Sequence, residues 1–242
     1  MHTITAARPI TWRLPVVLLG ISGLRLDRGT RYRPARLLLF TATAALYYLL
    51  TPVLTTPAVA TAYATAVWLL YYGGLSLTLG GPGRTALIAR FGEDRAYAVY
   101  EVALGLLFMN QSFAQAVVIY AYGDSLPAAI PSWAAYVIGA ALMAAGTFAK
   151  VWAACTVGLD TYYCRDMFAG RPLKDADGLV VAGPYRYLRN PMYGAGNLHA
   201  YGWAVWSRSL EGLAFAAAFQ LGIYLFYHFS ERPFIERAYV RS

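Results

Sequence analysis

Leu37-Leu-Leu-Phe-Thr-Ala-Thr-Ala-Ala-Leu-Tyr-Tyr-Leu-Leu-Thr-Pro-Val-Leu-Thr-Thr56 runs without a single charge. At a rise of about 1.5 Å per residue, roughly 20 such residues cross the ~30 Å hydrocarbon core of a bilayer. Ala58 to Leu79 is a second run of the same kind, and only Thr55-Thr56-Pro57 breaks the two, which predicts a tight helical hairpin. Residues 80–100, rich in Gly, Arg and acids, read as a polar loop. A third span is expected over Glu101–Ala121, with Asn110, Gln111 and Gln115 inside it. Side chains of that type at membrane depth hydrogen-bond to neighbouring helices or touch a substrate. The fourth run, Trp133 to Val157, carries Gly139 and Gly146 and also Lys150, which either serves a function or snorkels to the membrane surface. Two shorter runs follow, Met192–Trp206 and Leu213–Phe229, as a hairpin whose first arm barely spans. The fold expected is all-α, a multi-span transmembrane bundle of about six spans with both termini cytoplasmic.

Composition agrees. Of 242 residues, 59% are hydrophobic and 13% charged, with a mean hydropathy of +0.45, the signature of a multi-pass integral membrane protein. Residues 1–36 hold seven arginines and one apolar run, Leu14–Leu24, too short to span and lacking the small residues of a cleavage site. They read as a basic interfacial segment, residues 37–100 as an accessory hairpin and loop, and 101–242 as the core. Seven Arg before the first span, three in 80–100, five Arg and Lys in 158–191 and three at the end place 18 of 20 basic residues on one face. The positive-inside rule makes that face cytoplasmic. The net charge of +8 therefore points to lipid headgroups and not to nucleic acid. Cys155 and Cys164 fit neither a disulfide framework nor a metal site, and no metal is expected.

Within the longest polar loop, 158–191, and running into the next apolar segment, lies Gly183-Pro-Tyr-Arg-Tyr-Leu-Arg-Asn-Pro-Met-Tyr-Gly-Ala-Gly-Asn197. Pro184 and Pro191 keep the residues before them out of the helix, predicting a shaped loop with a helix starting near Pro191. Arg186 and Arg189 suit a carboxylate or phosphate. Tyr185, Tyr187 and Tyr193 offer rings to a cation, and Gly194 and Gly196 permit close approach. Such a set suits S-adenosylmethionine, which carries a carboxylate, an ammonium, a sulfonium and an adenine. Glu231, expected on the same face, would take the ammonium. His199 and Glu231 are the possible bases for an amine acceptor, although a histidine in a span also serves as a helix–helix hydrogen bond. Asp160, Tyr162 and Tyr163 begin the long loop and are placed at the acceptor entrance.

The loop Gly183–Gly194 resembles the signature of the integral-membrane methyltransferases, and Asn190-Pro-Met-Tyr193 with Tyr201-Gly-Trp-Ala204, Ser209, Gly212-Leu213 and Pro233-Phe234 is more similar to the phosphatidylethanolamine N-methyltransferases within them than to the isoprenylcysteine enzymes. The resemblance covers about 133–239. It implies four core helices and S-adenosylmethionine as cofactor. The family's Gly-x-Gly donor motif falls on Ala144-Ala145-Gly146, keeping the second glycine, and its Glu-Glu pair on Glu231-Arg232, keeping the first acid. The donor set is thus Gly146, Tyr185, Arg186, Tyr187, Arg189, Pro191, Tyr193, Gly194, Glu231 and Arg232. Catalytic roles fall to Glu231, His199 and Asn190, where many members have His, and substrate contacts to Asp160, Tyr162, Tyr163 and Asn197. The function implied is methyl transfer to a lipid or lipid-like acceptor, most simply a phospholipid amine, with no obligate protein partner. An isoprenylcysteine-type carboxyl methyltransferase, or an NADPH-dependent reductase of the sterol-reductase kind, is the alternative.

Overall fold

The computed structural model describes residues 14–27, 33–172 and 182–240. Parts of the basic N-terminal segment, of the long loop and of the C-terminal run lie outside the described residues. Of the chain, 82% is helical, and no strand occurs among the described residues. The helices are α1 (Leu14–Ile21), α2 (Arg33–Leu54), α3 (Pro57–Leu79), α4 (Pro82–Phe91), α5 (Glu93–Tyr122), α6 (Ser132–Val157), α7 (Leu159–Tyr162), α8 (Arg165–Ala169), α9 (Leu198–Trp206), α10 (Leu210–Phe226) and α11 (Arg232–Ile235).

Five helical stretches are long and apolar enough to cross a membrane: α2, α3, α5, α6, and Leu210–Tyr239, which continues α10 through two π-helical turns. The sixth expected span is built differently. Of 192–206 only the nine residues of α9 are α-helical, entered through a 3-10 turn at Ala195–Asn197. The helix begins at Leu198 and not near Pro191. Pro191 donates no hydrogen bond, and Gly194 (φ −88°, ψ −93°) departs from helical geometry. The segment still runs the length of α6. Gly196 faces Lys150, Gly146 faces the backbone of Leu198 and His199, and Gly139 faces Trp206. Non-helical backbone at this depth is tolerated because it is packed against protein.

Close approach explains the glycines of that seam. A Cβ on Gly139 would lie 2.6 Å from the Trp206 amide nitrogen, and one on Gly202 2.5 Å from that of Met143. In a membrane, where apolar burial adds little, such backbone contact is what holds helices together. The expected polar glue is also in place: Asn110 accepts from the Tyr63 hydroxyl, and the Gln115 amide donates to the Ala200 carbonyl at 2.6 Å.

The stretch 80–100, expected as a loop, is α4 and the first turns of α5. Pro82 opens α4, and Gly92, at φ 74°, breaks the chain between the two helices, a conformation that glycine adopts without strain. Arg84 then reaches across to the carbonyls of Phe168 and, at 2.7 Å, Ala169, satisfying the end of α8.

α2 and α3 differ sharply. α2 has no buried residue and meets the bundle along one edge. α3 is central: Tyr71, Tyr72 and Leu75 lie in the core with Tyr97, Tyr100, Leu104, Phe168, Phe219 and Phe226. The Tyr72 hydroxyl donates to the Phe219 carbonyl at 2.6 Å, and the Trp68 indole to that of Ala218 at 2.9 Å. Half of the supposed accessory hairpin is thus core.

The two ends are distinguishable. At one, the amides of Ser125 and Leu126 donate to Arg208 O, each at 2.9 Å, and the Arg208 guanidinium pairs with Asp124 at 2.8 Å. At the other gather α1, α4, α7, α8, residues 182–197 and the turns after α10.

Candidate active site

Gly183 to Arg186 form one 3-10 turn with Pro184 buried. Gly183 has φ 55°, and a Cβ there would meet Thr156 Oγ1 at 2.5 Å, so the turn is seated on the end of α6. The Tyr187 and Leu188 amides donate to Pro184 O at 3.1 and 3.0 Å, closing the turn. A second turn follows, in which Tyr193 and Gly194 amides donate to Asn190 O at 3.2 and 2.9 Å. Both proline breaks predicted from sequence therefore shape the chain.

The second turn aims Tyr193 at the acid after α10. Its hydroxyl donates to Glu231 Oε2 at 2.7 Å. Glu231 closes a π-helical turn, Tyr227–Glu231. Pro233, just beyond, has no N–H for Phe229 O and its ring would crowd that carbonyl in a regular helix. The widened turn relieves this, and π turns recur at functional sites. Tyr193 is fixed from the other side: its carbonyl accepts from Gln220 Nε2 at 3.2 Å, while Gln220 Oε1 accepts from the Tyr201 hydroxyl at 2.6 Å.

Tyr185 stands beside the same carboxylate. Burial, with the Glu231 charge adding to it, pushes its phenol pKa up and keeps it protonated. Its hydroxyl oxygen is buried and has no hydrogen-bond partner among the described residues. A buried polar group left in this way costs about 1–3 kcal/mol unless a ligand or water satisfies it. Cys164 lies within reach of the Glu231 charge too. Burial above all pushes its thiol pKa up, so it stays a thiol and is no nucleophile.

The remaining predicted residues sort into three places. Gly146, His199 and Asn197 belong to the α6–α9 seam. There His199 Nδ1–H donates to Gly196 O at 2.5 Å, which leaves Nε2 as the acceptor, and Lys150 is the charge nearest to it. Asn197 precedes α9, Pro191 is buried, and Gly194 faces the Tyr224 hydroxyl. Arg186, Tyr187 and Arg189 are exposed. So is Arg232, which pairs with Glu236 at 2.8 Å and does not join the Tyr193–Glu231 pair. Asp160 and Tyr163 turn toward the N-terminal segment: Asp160 binds Arg25 at 2.8 Å and Arg165 at 3.0 Å, and the Tyr163 hydroxyl donates to Gly20 O at 2.8 Å. Tyr162 packs on Phe108.

Arg25, Glu101, Tyr201, Gln220 and Cys164 were not read from the sequence as parts of the site. Glu101 carried a signal, an acid at the mouth of an apolar run. Gln220 carried one as well, an amide inside a span.

Residues 134–242 match the family model for phospholipid methyltransferases. The match takes in α6 to α11, and with them Tyr185, Tyr193 and Glu231. It is consistent with the membrane methyltransferase superfamily, and it supports methyltransferase activity in a membrane. No curated protein and no solved structure matches the chain.

Proposed function

We propose that the chain is an S-adenosylmethionine-dependent methyltransferase whose acceptor is a membrane lipid amine. The observation that carries this is the convergence of Tyr193, Tyr185 and Glu231 within the segment matched by the family. The Glu231 carboxylate accepts from the Tyr193 phenol, Tyr185 lies within reach of its charge, and the Tyr185 hydroxyl has no partner among the described residues. S-adenosylmethionine supplies a methyl group on a sulfonium, open to in-line attack by an amine.

The residues present fit that group. Glu231, with Oε2 already ordered by Tyr193, would neutralise the ammonium of the donor. The Tyr185 hydroxyl would donate to an acceptor atom that it lacks among the described residues. Arg186 and Arg189, exposed at the rim, would take the donor carboxylate. The Tyr185 and Tyr193 rings would face positive charge, worth about 0.5–2 kcal/mol each. Holding both reactants collinear in such a site is the main source of rate. His199 lies in the α6–α9 seam with Nδ1–H on the Gly196 carbonyl, so it supports the turn that leads into the site. Arg232 pairs with Glu236, so the arginine at the position of the family's second acid does not cancel the Glu231 charge that the donor ammonium needs. The sequence count of 18 basic residues on the loops and termini of one face supports a cytoplasmic site.

Titration of the detergent-solubilised protein with S-adenosylhomocysteine tests the reading. Glu231→Gln keeps the hydrogen bond from Tyr193 and removes the charge, and is expected to weaken binding at least tenfold, about 1.4 kcal/mol. Labelled-methyl transfer to a total lipid extract should yield a methylated amine headgroup in the parent and lose it in the variant. Equal binding by parent and variant would remove Glu231 from the donor site.

A further inference from the structure

We propose that residues 20–25, which lie outside the segment matched by the family, are a positioning element for the Glu231 site, acting through the turn 158–165. The inference rests on the methyltransferase reading only for what the turn serves, not for the latch itself.

Four contacts make the latch. The Tyr163 hydroxyl donates to Gly20 O at 2.8 Å. Gly20 lies against Leu159, where a Cβ would sit 2.6 Å from a methyl group. Gly23 meets Gly105 of α5 backbone to backbone, with no room for a side chain on either. Arg25, 3% exposed, lies 5.1 Å from the Tyr163 ring centroid and binds three carboxylates: Asp27 at 2.5 Å, Asp160 at 2.8 Å and Glu101 at 2.9 Å. Arg36 and Arg165 complete the set, at 2.7 Å from Glu101 and 3.0 Å from Asp160. Among the described residues three arginines face three acids, the kind of pairing under which charges tolerate burial.

What the latch holds is a strained turn. Cys164 has φ 52° and ψ 38°, a left-handed conformation that a non-glycine residue keeps only where its surroundings over-determine it. Its amide donates to Thr161 O at 3.0 Å and its carbonyl accepts from Phe168 at 2.9 Å. On one side stands Tyr163, tied to Gly20, and on the other Arg165, tied to Asp160. The Cys164 side chain is thereby kept against the core cluster on which Tyr193, the partner of Glu231, also packs, within reach of the Glu231 charge. Release of Gly20 and Arg25 frees both flanks of the strained residue, and the wall of the Glu231 site moves with it.

Cys164 itself reports the state of the turn. In full-length protein with Cys155→Ala, Cys164, half-buried in the closed turn, is the only thiol, and its rate of reaction with N-ethylmaleimide relative to that of the parent follows the opening of the turn. Arg25→Gln should raise that rate at least tenfold while helicity by circular dichroism is retained. Tyr163→Phe, which keeps every charge and the ring, should raise it about threefold, and decides the matter if Arg25→Gln does not fold. Both variants should also weaken S-adenosylhomocysteine binding, whereas Arg171→Gln, at an exposed pair, should change neither reading. A labelling rate unmoved by Tyr163→Phe and by any folded Arg25→Gln protein overturns the latch, whatever the binding shows. Faster labelling in a protein whose parent binds no S-adenosylhomocysteine upholds the latch and removes the methyltransferase reading instead.

Discussion

Residues 20–27 and residues 183–189 lie at the same end of the bundle, and both are arginine-bearing turns, yet they use the guanidinium in opposite ways. Arg25 is buried, with all its charge answered by Asp27, Glu101 and Asp160. Burial alone would lower its pKa, but the Asp27 hydrogen bond and the carboxylate charges outweigh that and raise it, so it is a fixed cation. Arg186 and Arg189 are exposed, and no ion pair occupies them among the described residues. The first region is satisfied internally and can only hold structure. The second keeps its charge free for something that is not protein.

The largest expected effect comes from breaking the buried member of this comparison. Glu101→Gln leaves Arg25 and Arg36 facing one carboxylate fewer at a site where the Glu101 side chain is 1% exposed. Removing one partner of a buried pair costs about 3–5 kcal/mol, because the remaining charge stays buried. A pronounced drop in thermal denaturation midpoint in detergent should result. An unchanged midpoint would mean that the cluster is solvated and that the two arginine regions do not differ.

A smaller, different effect is expected at the other region. Arg189→Ala should leave the denaturation midpoint near that of the parent, since no contact in the protein is lost. It should weaken S-adenosylhomocysteine binding by about 1.5–3 kcal/mol, the range for a hydrogen bond to a charged group. Calorimetric titration of Arg186→Ala beside it shows which guanidinium takes the donor carboxylate. Normal binding by both single variants and by the double would leave these arginines as headgroup contacts only.

How legible this was in the sequence follows from the physics of each part. Spans announce themselves by length and apolarity, so α3 and α6 were bounded closely, and α5 at its C-terminal end. Pairing across the fold does not announce itself. Glu231 and Tyr193 were both singled out, because proline, glycine and family likeness mark their turns, but the hydrogen bond between them depends on a π turn. Arg25 looked like any other arginine in a basic segment, since nothing local distinguishes a guanidinium that will meet, besides Asp27, two acids 76 and 135 residues away. Asp160 was placed at an acceptor entrance for the same reason: its partner lies in a segment read as interfacial. The stretch 80–100 was misjudged because its glycines and charges mimic a loop, whereas Pro82 and Gly92 delimit helices.

The smallest effect is expected at Arg232, and it bears on the acceptor. Arg232 Nε meets Glu236 Oε1 at 2.8 Å in an i,i+4 pair, with side chains 54% and 40% exposed. Exposed pairs of this kind contribute little, and salt screens them further. Arg232→Gln should therefore shift the denaturation midpoint barely, less than Glu101→Gln by several fold. If Arg232 stays with Glu236, donor binding should not change either, and Glu231 keeps sole charge of the site. A variant that binds donor normally yet loses acceptor turnover would show that Arg232 leaves Glu236 and reaches the headgroup phosphate. The exposed arginines would then number three at the rim, and the division between buried and free guanidinium groups would extend to residue 232.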